Sequence, residues 1–445
     1  MNKLSICAAM VAALIVTSYA DDWPQFCGPA RNNISAETGL ADSWPEGGPK
    51  VLWEKEVSNG YSAPAVKDGK VYFTDRSDDE SLLYCIDLAK GEELWKCAIE
   101  DPGNMSHQQY AGTRGTPSVT DEAVYFVTGW GTVVCVDLES KKVRWQHSLL
   151  KEFSMELHMW GMSQSPVIYK DLVIVVPSAS SAGVVAYNRK SGELAWKSRS
   201  IGGYTFASPA IYNICGTDMV VATGSQSGGG GGRSRRPGGA APAAAPAAAS
   251  DAVASGVFGL SPEDGSVLWS YGGWQCGNAI PFPIQIPDNR LFITGGYNAG
   301  SAMIRIEKTD DAYKAVELYK TSDISPQIHQ PVYLDNHMLI INNSNGLNDG
   351  LASVNLDGSF VWKTKDINGA PNFERGGFIV ADGKIIALDA KTGMLHLIKA
   401  DVTAYKELAS APMVKKNDQA WAPLTLADGK LIVRDWTTLK CVDLK

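Results

Sequence analysis

The 445-residue chain has a formal net charge of −8, which leaves no basic face of the kind nucleic-acid binding requires. Its 44 glycines, 13 tryptophans and 16 tyrosines, with no sustained helical periodicity, point to a large β domain. A length that ordinarily means two or three domains fits a single one if the chain is built from repeats.

Residues 1–20 read as a signal peptide: Lys3, an apolar stretch over 4–16, then Ser18-Tyr19-Ala20 before Asp21. The apolar stretch is too short to span a bilayer, and Cys7 sits in no lipobox. Cleavage after Ala20 and a periplasmic or extracellular chain without a membrane span are expected. Residues 21–48 form an N-terminal extension, and 49–445 form the repeat domain.

Within that domain one phrase recurs: small residue, any, Asp or Asn, three residues, Gly, three residues, Trp. It runs from Cys85 through Asp87 and Gly91 to Trp95, and from Ala186 through Asn188 and Gly192 to Trp196. Looser copies end at Trp145, with Lys141 in the glycine slot, and at Trp269 and Trp362. About 30 residues before each Trp a Pro opens a strand, followed by an Asp-Gly turn such as Asp68-Gly69. Strand starts are read at Pro64, Pro117, Pro166, Pro209, Pro281, Pro331, the Pro-less Gly376-Gly377-Phe378, and Pro423. Strand ends are read at Trp53, Trp95, Trp145, Trp196, Trp269, Tyr319, Trp362 and Leu408. Both counts are eight, and a period of roughly 40–50 residues is that of a propeller blade.

Trp53 precedes the first strand start, and the last unit, 421–445, lacks a Trp strand of its own. The expectation is an all-β, eight-bladed β-propeller of four-stranded antiparallel blades, closed by the N-terminal strand completing the C-terminal blade. Ala387-Leu388-Asp389 with Gly393 imitates the phrase but ends at Leu397, so it is placed at the turn between the second and third strands of blade seven. Residues 225–255, a Gly, Arg and then Pro/Ala run, read as a low-complexity insertion within blade four.

Cys85, Cys135 and Cys441 share one small-residue slot, which favours buried structural thiols; no CxxC, haem or zinc spacing occurs. The repeated Asp87, Asp137 and Asp443 suit turn capping, and His158 reads as structural. No catalytic triad or paired carboxylates can be argued from spacing.

These phrases resemble the repeats of the PQQ-like (pyrroloquinoline-quinone-like) propeller proteins. The resemblance is sharper to a secreted subgroup opening with Asp22-Trp23-Pro24-Gln25-Phe26 and Gly28-Pro29, although Cys27 stands where that subgroup usually has Arg. The resemblance implies two branches. One is the quinoprotein dehydrogenases of alcohols or sugars, with PQQ and calcium on the axis and often a vicinal Cys-Cys pair. This chain has no adjacent cysteines and no motif to which calcium ligands can be assigned. The other resembles the propeller subunit of outer-membrane protein assembly, a non-enzymatic scaffold. The expectation is a monomeric binding or scaffold propeller for a protein partner or small polar ligand, without catalytic residues, metal or cofactor; a PQQ- and calcium-dependent dehydrogenase is the alternative.

Comparison of repeats singles out positions that change chemistry just ahead of each strand start: Tyr61, Arg114, Gln164, Phe206, Asn278, His329, Arg375 and Trp421, with Ser163 and Ile328 in the same series. They precede the innermost strands, so they are expected to ring the mouth of the central channel. A rim of aromatic, Arg, His and amide groups suits a polar or anionic ligand or a peptide loop.

Overall fold

Pro before most first strands, and Asp-Gly or a related pair after them, give eight short inner strands, most of them turned back through left-handed backbone. Asp68 and Gly69 have φ of 50° and 68°, and the Asp382-Gly383 and Asp428-Gly429 turns repeat the pattern. The computed structural model describes residues 22–77, 80–101, 112–226, 253–310, 312–344, 346–415 and 419–445. The signal-peptide reading, residues 1–20, and most of the 225–255 insertion lie outside them.

Eight antiparallel sheets form an eight-bladed propeller. Blade one comprises Ala65–Lys67, Lys70–Ser77, Glu80–Asp87 and Glu93–Glu100. The same up-and-down order repeats over residues 118–148, 167–197, 210–271, 284–321, 332–363 and 378–412. Blade eight takes Thr425–Ala427, Lys430–Arg434 and Thr438–Asp443 from the C-terminal end and Lys50–Glu56 from the N-terminal end. Trp53 pairs with Cys441 across that seam, so the ring closes by strand exchange. The fourth strands carry Trp53, Trp95, Trp145, Trp196, Trp269, Tyr319 and Trp362 in corresponding positions, each paired beside a bulge. In blade seven that position is Ala409, and Leu408, the expected strand end, occupies the bulge one residue earlier. Ala387-Leu388-Asp389 ends the second strand of blade seven, and Gly393 lies in the turn before the third.

Two further readings need correction. In blade five the inner strand is Ile284–Ile286, so the in-phase proline is Pro283, two residues beyond Pro281. Pro281 follows Ile280 and Pro283 follows Phe282 in one short apolar run, and the following turn is Asp288-Asn289 instead of Asp-Gly, so no phase marker chooses between them. Blade seven also has a fifth strand, Ile34–Ser35, lying parallel on its inner edge against Phe378–Ala381.

The insertion interrupts a continuous hairpin. Thr217–Gly224 pairs with Gly256–Leu260, and Gly224 faces Gly256 at the point where the insertion enters. Cys85, Cys135 and Cys441 are fully buried, and the seven described cysteines are unbridged. Asp87 and Asp137 accept backbone N–H bonds from residues two or three further on, as turn-capping carboxylates do. No helix among the described residues is long and apolar enough to cross a membrane.

The blades dock through their tryptophans. Trp53 Nε1 donates to Leu88 O of the next blade, Trp145 to Arg189 O and Trp196 to Pro262 O. The glycine of the recurring phrase sits against the preceding blade's Trp. A Cβ on Gly91 would lie 2.7 Å from the Trp53 ring, and one on Gly192 2.6 Å from Trp145.

Candidate functional site

The N-terminal extension lies across the channel. Trp23 exchanges two backbone hydrogen bonds with Val66 of blade one, and Pro24 O accepts from Val119 N of blade two. Arg31 Nη2 donates to Pro209 O at the inner edge of blade four. Asn33 O then accepts from Val380 N of blade seven, and Glu37 accepts from Gly429 N of blade eight. A segment bonded to inner strands on opposite sides of the ring makes a floor across the axis. Cys27, Arg31 and Asn33 turn it through left-handed backbone, with φ of 62°, 53° and 57°.

Above the floor opens a cup of about 370 Å³, within the range of small-molecule sites. Phe26, Cys27 and Asn33 form its base. Six of the eight rim candidates line it: Tyr61, Arg114, Phe206, His329, Arg375 and Trp421; Ser163 and Ile328 do so as well. Gln164 and Asn278 do not. Gln164 is 1% exposed and turned into the ring, its Nε2 donating to Val176 O and Thr205 O while its Oε1 accepts from Val176 N. Asn278 was placed by counting from Pro281; with Pro283 in phase, Ile280 takes the rim position and lines the cup.

One arc of the wall is a stack of planar groups. The Arg114 guanidinium lies 4.8 Å from the Tyr61 ring centre, Tyr61 stacks on Trp421 at 5.3 Å and 10°, and Arg375 lies 5.8 Å from Trp421. The Tyr61 hydroxyl donates to Gln419 Oε1 at 2.7 Å, which fixes the ring. Another arc holds Trp160 and Phe206, backed by His158 and Tyr204; the Tyr204 hydroxyl donates to Gly161 O. His158 is thus a packed member of an aromatic cluster, and burial lowers its pKa.

The electrostatics of the cup are one-sided. Among the described residues its lining includes two guanidiniums and no carboxylate. Burial lowers the pKa of Arg114, though an arginine stays protonated. Arg375 Nε donates to Gln327 Oε1 at 3.2 Å, and Glu374 stands 3.9 Å behind it. His329 is 8% exposed, and burial holds its pKa down at about 4, so its ring is neutral.

Repeat comparison missed Gln330, which lines the cup, is 2% exposed and has no partner among the described residues for either amide atom. A signal existed. The residue before the opening proline is Ala63, Thr116, Ser165, Ser208 or Ala422 in other blades, and Gln330 is the one large polar occupant of that slot. Phe26 and Asn33 were missed because the extension has no counterpart in the repeats.

The comparisons fit this geometry. A family model described as "Outer membrane protein assembly factor BamB" matches residues 31–97 and 79–272, which together cover more than half of the chain. The quinone-dependent alcohol dehydrogenase subunit of Komagataeibacter europaeus is 24% identical over 222 residues, 43% of this chain and 30% of that protein. The chain therefore matches less than a third of that relative's length. Quinohemoprotein alcohol dehydrogenase from Comamonas testosteroni superposes with a TM-score of 0.61 at 14% identity, covering 95% of this chain and 80% of the other. BamB from Moraxella catarrhalis gives 0.53 at 13%, covering 88% and 98%. Identities this low establish a shared fold, on which unlike functions are built. With its repeat phrases, its eight blades and the extent of the family match, the chain belongs to the PQQ-like β-propeller family.

Proposed function

We propose that this protein is an exported, non-enzymatic binding propeller whose axial cup takes a small, flat, anionic ligand. The observation that carries this reading is the lining: Arg114 and Arg375 stand at the two ends of a stack of planar side chains, and no carboxylate is among the described residues that line the cup, the one acid beside Arg375 being Glu374 behind it. Guanidinium groups pair with carboxylate or phosphate, and the Tyr61 and Trp421 faces offer apolar area to a flat body. The family model's assembly-factor description supports a protein occupant of the same cup, an acidic loop tip entering from the open mouth.

The calcium-bound quinone of the dehydrogenase branch does not fit these residues. A hard divalent cation takes oxygen ligands, chiefly carboxylates, and a general base needs a group that accepts a proton. The cup supplies two cations, hydroxyls, amides and a buried imidazole, and no group of three or more His, Cys, Asp or Glu able to hold a metal occurs among the described residues. No catalytic step is derived through PQQ.

Isothermal titration with PQQ and with naphthalene-2,6-dicarboxylate, each with and without calcium, tests the reading. Saturable binding of both without calcium is expected, at least tenfold weaker in the Arg114→Gln/Arg375→Gln double variant. Absence of binding by both would overturn it. So would binding that requires calcium and survives the double substitution, which restores the dehydrogenase alternative.

A further inference from the structure

The floor segment has an underside. Between the inner strands of blades three and four lies a second, smaller cleft of about 170 Å³, lined among others by Gln25, Arg31, Val167, Ile211 and Tyr212. Arg31 is 7% exposed there. Its Nη2 donates to Pro209 O at 3.0 Å, whereas Nε and Nη1 have no acceptor among the described residues. Only one of the five guanidinium N–H bonds is therefore answered by a described residue.

No acid among the described residues compensates the charge. The ionisable groups acting on Arg31 are the Cys27 thiol and the Tyr212 phenol. Burial pushes Cys27 up to about 12 and raises Tyr212 too, so both are neutral. The Phe26 and Phe282 rings stand 5.9 and 5.4 Å from the guanidinium carbon. Their faces attract a cation, but they do not take up its in-plane N–H bonds as an oxygen does. A buried guanidinium with one carbonyl for a partner is a costly arrangement, and a native fold retains it where something completes it.

We propose that the Arg31 cleft is an anion site, distinct from the cup, that binds a small oxyanion such as phosphate or a carboxylate. Both present two oxygens sharing negative charge, which matches the planar fork of the guanidinium. The cleft has less than half the volume of the cup, so it selects the charged group over the flat body. Once bound, the anion clamps the floor to blade four, and selective binding to the folded chain raises its unfolding temperature.

Thermal unfolding of the full mature protein is followed in a zwitterionic buffer while phosphate, acetate or chloride is added. Phosphate or acetate is expected to raise the midpoint saturably, with chloride matched for ionic strength giving a smaller rise. The response order of phosphate and acetate tells an inorganic occupant from a carboxylate. Arg31→Met should weaken the half-saturation concentration at least tenfold, whereas the Arg114→Gln/Arg375→Gln cup variant should retain it. A rise that never saturates, one equal in Arg31→Met, or one lost in the cup variant overturns the proposal. Should Arg31→Met fail to fold, Arg31→Lys keeps the charge but not the fork; unchanged half-saturation in that variant overturns it equally. Failure of the cup titration leaves this test intact, because the two readouts rest on different arginines.

Discussion

His329 Nε2 lies 3.0 Å from Arg375 O, and a carbonyl can only accept, so Nε2 carries the proton of a neutral ring. Burial holds the folded pKa at about 4, against an ordinary value of 6.5. Between those values the unfolded chain takes up a proton that the fold refuses. Stability is therefore complete above about pH 6.5 and declines as pH falls toward 4, by about 3 kcal/mol from this one group. His329→Gln keeps an N–H donor without the titration, so its urea midpoint should lose less over that window than that of the native chain. Identical pH slopes for the two proteins would contradict this assignment. His158 and His396 are also held down by burial, but they titrate in both proteins and cancel in the difference.

Rim residues were legible where a repeat position changed chemistry against a constant background, as at Tyr61, Arg114 and Arg375. Gln164 fell into the same series but spends its amide on the ring's own backbone, and sequence does not reveal which way a side chain turns.

Among the elements, the docking of one blade on the next turns on the glycine within the recurring phrase. Gly91 has φ of 71°, and a Cβ there would meet Trp53 at 2.7 Å; Gly69 has φ of 68° with nothing within 4 Å. Alanine at Gly69 therefore incurs backbone strain alone, about 1 kcal/mol. Alanine at Gly91 incurs that strain plus overpacking of the seam tryptophan, about 1–3 kcal/mol more. Equal losses in denaturant unfolding would show that the Trp contact carries nothing. Blade two offers a natural contrast: Lys141 holds the glycine slot at φ of 60°, and Trp95 of the preceding blade is only partly buried. Blade count and Trp placement were readable because tryptophan and the turn residues answer to local geometry that every blade repeats. Blade five slipped because two prolines satisfied one local rule, and only pairing across the sheet chose between them.

Across the whole molecule, the residues before 57 do two jobs, flooring the channel and completing blade eight. Glu37 and Gly429 are bonded across 392 positions of chain. Closing a loop of that length costs about 5 kcal/mol of chain entropy, so the seam is among the weaker joints until all its contacts form together. Deleting residues 22–56 should strip the partner from Thr438–Asp443, lower the unfolding temperature and promote self-association through the bared edge. A monomeric, equally stable truncation on light scattering and calorimetry would argue against that account. Strand exchange was visible in the sequence as one Trp too many at the front and one too few at the end. The floor was not, because a segment used once has no internal copy against which to compare it.

The seam also has a consequence in time. A chain that emerges with its N-terminal end first presents Lys50–Glu56 long before Thr438–Asp443 exists to receive it. Seven sheets can assemble from neighbours in the order they appear, while the earliest strand waits for the latest. During that interval its hydrogen-bonding edge is open to other strands, native or foreign. The fold is therefore most exposed to error just before its last residues arrive.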